Sequence, residues 1–183
     1  MKGYLCLLFF ISISFFFSAC KKNIPAIDQL PPATQTGAHT FGCLINGKVF
    51  KPKGDLFSGP ILSCAYQYNN GGYSFQLKAK QDIGNGLLSI GIFTDSLAIS
   101  KGAIIKLYEP YVKGKSYGLH GKYTPEGLGS LYYTQPSGTG ELHITRFDET
   151  NQIVSGTFWF DGVNNNGEKV QVREGRFDMP YKL

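Results

Sequence analysis

Runs of strong helix formers are missing from this chain, and after residue 40 no window carries a 3.6-residue apolar period. That absence argues against a helical bundle or a fold built on long amphipathic helices. The longest apolar run, Tyr4 to Phe17, falls short of the ~20 residues a membrane-spanning helix needs. Histidine is scarce: His39, His120 and His143 stand at no metal-ligand spacing, and no Cys-x-x-Cys pair is present. No Gly-x-Ser-x-Gly elbow occurs. Gly138-Thr139-Gly140 lacks the third glycine and the following helix of a dinucleotide loop, so it reads as a turn. Asp148-Glu149 also reads as a turn rather than as paired catalytic carboxylates. No catalytic residue, metal or cofactor is assigned, and an enzyme is not expected. A hydrolase whose groups converge only in space is the least favoured reading.

Clustered basic charge is also missing. The formal net charge is +5, but it is scattered along the chain, and Lys2 would leave with the amino-terminal segment. Lys78 and Lys80 alternate with apolar residues, as on the wet face of a strand. A nucleic-acid binder concentrates its Lys and Arg on one stripe or arm, so nucleic acid is not an expected partner.

What is present begins at the amino terminus. Met1-Lys2 supplies a positive start, an apolar core follows, and Ser18-Ala19 precede Cys20. This is the layout of a secretory signal over residues 1–19. Phe17-Ser18-Ala19-Cys20 resembles a bacterial lipobox, with Phe17 where that pattern usually has Leu. The resemblance implies cleavage before Cys20 and a lipid on its sulfur, which would anchor the protein without a spanning helix. Residues 20–40 hold Pro25, Pro31, Pro32 and Gly37 and read as a Pro-rich tether. A short helix over Ile24 to Leu30, packed on the domain, is the alternative. Residues 41–183 suit a single domain.

Of the four cysteines, Cys6 lies in the signal. Cys43 is in phase with Phe41 and Ile45, and Cys64 with Leu62 and Tyr66, so both point to apolar faces. In an exported protein the pair is expected to form a disulfide; the alternative is two buried free thiols.

The body reads as strands. Asn46-Gly47 between two apolar runs is a hairpin turn. Ile61 to Tyr68 turns at Asn69-Asn70-Gly71-Gly72 into a segment where Tyr73, Phe75, Leu77 and Ala79 alternate with Ser74, Gln76, Lys78 and Lys80, the period of a half-buried strand. Leu87 to Thr94, Ala103 to Tyr108, Tyr117 to Thr124 and Ser130 to Thr134 follow. Glu141 to Phe147 pairs with Ile153 to Phe160 across a turn at Asp148, and Asn164 to Gly167 leads into Lys169 to Tyr181. There Val170 and Val172 share one phase and Phe177 the other, so a β-bulge is expected at Gly175. The fold expected is all-β, a mostly antiparallel sandwich of about nine or ten strands, with a flattened barrel as the alternative.

The glycine-rich stretch from Tyr108 to Tyr133 is dense in tyrosine, an apolar ring with a polar tip that suits sugars and proteins. Tyr117, Tyr123, Tyr132 and Tyr133 are the candidate ligand-binding residues; the bland alternative is that these rings cap the core. Finally, Leu30-Pro-Pro-Ala-Thr-Gln-Thr-Gly37 with Thr40-Phe-Gly-Cys-Leu-Ile-Asn-Gly-Lys-Val-Phe50, Val154-Ser-Gly-Thr-Phe-Trp-Phe160 and Glu174-Gly-Arg-Phe-Asp178 resemble a family of envelope lipoproteins of Bacteroidota type. That resemblance implies an envelope location and an all-β domain, and no mechanism. The expectation is a lipid-anchored envelope lipoprotein, at the outer membrane, acting as a non-catalytic binding or accessory module for a glycan or another envelope protein. A structural assembly subunit is the second reading. Lys21-Lys22-Asn23 lack the acidic residues that accompany surface export, so neither membrane face is assigned.

Overall fold

The computed structural model describes residues 24–54, 59–69 and 71–183. The expected signal segment (1–19), the expected lipid site Cys20 and Asn70 of the second hairpin lie outside the described residues. Eleven strands form one hydrogen-bonded network. They are β1 (Thr40–Ile45), β2 (Lys48–Phe50), β3 (Leu62–Asn69), β4 (Gly72–Asp82), β5 (Leu87–Thr94), β6 (Ile104–Lys106), β7 (Ser116–Thr124), β8 (Gly127–Tyr133), β9 (Gly140–Asp148), β10 (Ile153–Val163) and β11 (Lys169–Pro180). Every pairing of named strands is antiparallel, as short Gly/Asn turns require.

The strand order is β2-β1-β11-β10-β8-β7-β5-β4-β3, with β9 between β10 and β6. β10 forks the sheet. Its first eight residues, Ile153 to Phe160, pair with β9, whereas β8 meets it only at Val163 opposite Tyr133. Two limbs result, β2-β1-β11-β10-β9-β6 and β8-β7-β5-β4-β3, folded onto one another as the layers of a sandwich. The flattened-barrel alternative does not hold, because no ladder closes the sheet. Two isolated parallel bridges, Lys53 to Gln81 of β4 and Ala65 of β3 to Lys182, join the limbs without making a ladder.

The core lies between the limbs. Alternate residues supply it: Phe75, Leu77 and Ala79 from β4, Ile90 and Ile92 from β5, Leu142 and Ile144 from β9, Phe158 and Phe160 from β10, all nearly inaccessible. Burying each of these larger side chains contributes about 1.5–3 kcal/mol against the ordering entropy of the chain. The limbs touch through the Phe75 and Phe177 rings, 6.1 Å apart. The Phe160 ring also sits over Gly118, where a Cβ would meet it at 2.8 Å.

The hairpin at Asn46-Gly47 forms as read, with φ of 47° and 77°. The bulge at the end of the chain also forms. Register slips by one residue between β11 and both neighbours, at Arg173 to Arg176 against β1 and at Val172 to Gly175 against β10. The left-handed residue there is Glu174, φ 54°. Gly175 serves a different need: the Phe158 ring and carbonyl would lie 2.6 Å from any Cβ.

Two expectations change. From Ala26 onward the chain lies on the domain, as in the short-helix alternative, rather than running free as a tether. Ala26–Gln29 is a 3-10 turn, Leu30 is buried, and residues 34–38 are strapped to β11 by the carboxylate of Asp178. That carboxylate accepts from the Thr34 hydroxyl (2.7 Å), the Thr36 amide (2.8 Å) and hydroxyl (3.3 Å), the Gly37 amide (2.8 Å), the Ala38 amide (3.1 Å) and the Ser155 hydroxyl (2.7 Å). Burial acts to raise the Asp178 pKa, but the bonds from Thr34, Ser155, Thr36 and Ala38 outweigh it and hold the carboxyl well below the usual carboxylate range.

The expected disulfide is also absent: Cys43 and Cys64 are buried free thiols. Cys43 on β1 lies opposite Phe50 of β2, and Cys64 on β3 opposite Leu77 of β4. Cys43 lies beside the Arg173 to Arg176 stretch of β11, whereas Cys64 accepts from the Lys182 amide past the end of that strand, and a disulfide needs Cα atoms within about 7 Å. Burial pushes both thiol pKa values far up, so neither carries nucleophilic thiolate.

Candidate functional site

The inner faces of both limbs are committed to the core, so chemistry must come from the outer faces. On β9, Leu142 and Ile144 point inward, which turns Glu141 and His143 outward. On β10, Phe158 and Phe160 point inward, which turns Thr157, Trp159 and Asp161 outward. Register aligns them into rows. Ile104, His143, Thr157 and Arg176 stand side by side across β6, β9, β10 and β11, and Glu141 stands opposite Trp159.

The bulge completes the arrangement. Arg173 and Arg176 are three residues apart, and in a regular strand they would face opposite sides. One extra residue on β11 brings both to the outer face, a use of bulges that re-aims side chains. The strap covers the part of this face over Ser155 and Asp178, and Ala33 forms a wall where the cover stops. What remains open is a groove of about 660 Å³, inside the range of about 300–1,000 Å³ that holds small-molecule ligands.

Trp159 lines the groove and is 39% exposed. The Arg173 guanidinium lies 5.3 Å from its ring centre, and its indole N–H donates to Glu141 at 3.4 Å. Arg173 donates to the carboxylate of Asp161 at 2.6 Å and to the Phe160 carbonyl at 3.1 Å, so its position over the indole is fixed from two sides. Arg176 is held more loosely, 3.4 Å from Glu174. The lining therefore carries two arginines and two glutamates, with His143 and Thr157 between them. Its charges balance, and planar donors and acceptors surround an aromatic ring.

The second outer face carries the tyrosines. Tyr117 of β7 stacks on Phe93 of β5, ring centres 4.8 Å apart. Tyr133 of β8 lies 6.4 Å from Tyr117. Tyr111, from the β6–β7 loop, lies 5.6 Å from Tyr117 and 6.4 Å from Tyr133. Burial, with help from Tyr111 and Asp95, pushes the Tyr117 phenol up to about 12. Burial and the hydrogen bond with Tyr111 push Tyr133 up as well. Both phenols stay neutral at ordinary pH, and the Tyr133 hydroxyl is engaged by Tyr111.

Two of the four candidate tyrosines, Tyr117 and Tyr133, are thus brought together. Tyr132 is not: adjacent strand residues face opposite ways, and its ring packs on the core side against the buried His120, 5.6 Å away. Tyr123 sits near the far end of β7, opposite Leu87. Trp159, Glu141, Arg173 and Arg176 were not singled out from the sequence. The period-two pattern around Phe158 and Phe160 was the available signal for Trp159. Asp148 does what a turn residue does, accepting from the Asn151 amide at 2.9 Å. Among the described residues, no three His, Cys, Asp or Glu side chains gather as a metal site, and no helix is long and apolar enough to cross a membrane.

A family model described as a domain of unknown function (DUF6252) matches residues 103–179. That stretch contains all of the groove lining except Ala33. No curated protein and no solved structure matches the chain.

Proposed function

We propose that this protein is a non-catalytic carbohydrate-binding accessory module, held at the bacterial cell envelope by a lipid on Cys20, and that it takes its glycan in the Trp159 groove. The observation that carries the proposal is the half-exposed indole ringed by planar groups of both charges. A sugar ring has an apolar C–H face and a rim of hydroxyls, each both donor and acceptor. The face stacks on an aromatic ring. The rim needs acceptors, which Glu141 and Glu174 supply, and donors, which Arg173, Arg176 and Thr157 supply. Balanced charge gives no field to draw in a polyanion such as nucleic acid. The amino-terminal segment supports the envelope placement, because a positive start, an apolar core and small residues before Cys20 are what export and lipidation use. Replacing Cys20 with Ala is expected to move the protein out of the membrane fraction; retention there would refute the anchor.

The second reading, a subunit that contacts another envelope protein, draws on β6. Among the described residues this three-residue strand pairs with no strand but β9 and exposes Ile104, an edge that an added strand could extend. A thermal-shift screen of the protein against β-glucan, xylan and N-acetylglucosamine oligosaccharides separates the two. A ligand at 100 times its Kd adds about 2.7 kcal/mol, a rise of roughly 5–10 °C at this chain length. The proposal expects such a rise, abolished by Trp159→Ala. A flat screen favours the protein partner.

A further inference from the structure

We infer that the tyrosine platform is a second carbohydrate site, for a single sugar ring, and that the domain therefore bridges two glycan chains through its opposite faces. The inference rests on the carbohydrate reading of the groove and adds a site to it.

The platform is on the other side of the molecule from the groove. Phe93 and Tyr117 alternate with the buried Ile92, Thr94, Ser116 and Gly118, and Gly118 is the residue on which Phe160 of the opposite limb packs. The two outer faces are therefore separated by the full thickness of the core. A chain lying in one cannot reach the other without passing around the sandwich.

Tyr111 points to a ligand more directly than any other residue here. It is 75% exposed, and its φ is 63°, a conformation that costs a bulky L-residue energy. The loop that holds it is over-determined. Gly114 donates to the Asp95 carbonyl at 2.7 Å, Asp95 donates to the Lys115 carbonyl at 2.9 Å, and Lys115 pairs with Glu109 at 3.1 Å. The structure thus fixes a strained, solvent-facing ring over Tyr117 and Tyr133, where core packing does not require it.

The cleft beside the ring tells what fits. Its volume is about 210 Å³, and Asn69, Ser74, Gln76 and Asp95 rim it above Phe93 and Tyr117. That is too small for the drug-sized ligands of the usual pocket range and is matched to one ring. The rim offers amides, a hydroxyl and one carboxylate, partners for hydroxyls rather than for phosphate or sulfate. Lys78, 5.6 Å from the centre of the Phe93 ring, holds the floor in place.

Native mass spectrometry of the full chain with the three oligosaccharide series used above tests the inference. Two sugars per chain are expected. Trp159→Ala should keep one, and Tyr111→Gly, which removes the ring and suits the positive φ, should keep the other with platform affinity down about tenfold. Tyr133→Phe, which deletes only a hydroxyl, should weaken the same event without disturbing the fold. Polymeric xylan or β-glucan should then be cross-linked by the parent chain and not by either single-site variant, read as light scattering. One sugar per chain, lost entirely in Trp159→Ala, would overturn the platform and leave the groove standing. Binding in Trp159→Ala that ignores both tyrosine variants would overturn it also. No binding of any sugar would overturn both readings.

Discussion

Asp178→Asn is the substitution with the most to say about how this domain is held together. The parent carboxylate is inaccessible to solvent and accepts six hydrogen bonds, four on Oδ2 and two on Oδ1. An asparagine keeps one accepting oxygen and presents an NH₂ in place of the other. With its oxygen in the Oδ2 position, the new amide faces the Gly37 N–H, donor against donor, and the Ser155 hydroxyl must rotate to accept. Bonds to a charged group are worth about 1.5–3 kcal/mol each and bonds between neutral groups about half that. Breaking a buried ionic arrangement from one side costs about 3–5 kcal/mol. We therefore expect a loss of about 3–5 kcal/mol, a fall in Tm on the order of 10 °C. Urea unfolding would measure the loss, and hydrogen exchange would locate it. The amides of Thr36, Gly37 and Ala38 should be protected in the parent and exchange rapidly in the variant. The sign of the pH dependence follows from the depressed carboxyl. The stability it supplies is fully present above the ordinary aspartate value of about 3.9 and is withdrawn as pH falls below it. The gap between parent and variant should thus shrink on acidification. A loss under about 1 kcal/mol with the three amides still protected, or a gap that does not move with pH, would refute the account of the strap.

Other consequences are as direct. Gly175→Ala should cost about 1–3 kcal/mol, because the new Cβ meets the Phe158 ring and carbonyl at 2.6 Å; a neutral result in urea unfolding would mean the bulge yields easily. Cys43 and Cys64 should resist thiol reagents in the native protein and both label after unfolding without reductant, as peptide mapping would read. A bridged peptide pair would contradict the two free buried thiols.

Much of the fold was legible because it is written in near neighbours. Asn46-Gly47 can close only a tight hairpin, and Leu87 to Thr94 is bounded as read. The phase change between Val172 and Phe177 demanded an extra residue, and the bulge supplies it. The expected number, about nine or ten, falls just short of eleven, yet even the three-residue β2 and β6 lie where strands were read, in the second arm of the Asn46-Gly47 hairpin and within Ala103 to Tyr108. What was not legible depends on pairs distant in sequence. Five of the six hydrogen bonds to Asp178 come from residues 34–38, some 140 positions away, and nothing local announces them. The phases of Cys43 and Cys64 correctly place both thiols inside, but phase is silent on which strands become neighbours. The tyrosines teach a narrower lesson. Tyr132 and Tyr133 adjoin in one strand, so period two already forbade both from serving one face. The groove went unseen because Arg173 and Arg176 share a face only through the bulge, and because Glu141 meets Trp159 only through register.

The measurement that bears most directly on the carbohydrate reading uses a property of the chain itself. It has one tryptophan, and that residue lines the groove, so intrinsic fluorescence reports on the site without labels. Titrating the protein with the β-glucan, xylan and N-acetylglucosamine oligosaccharides should give a saturable change in Trp159 emission with at least one series, weakened when Arg176 is replaced by Ala. An emission spectrum that stays constant while an oligosaccharide binds by mass, or that never changes with any of them, would contradict the Trp159 groove as the place where this protein holds its ligand.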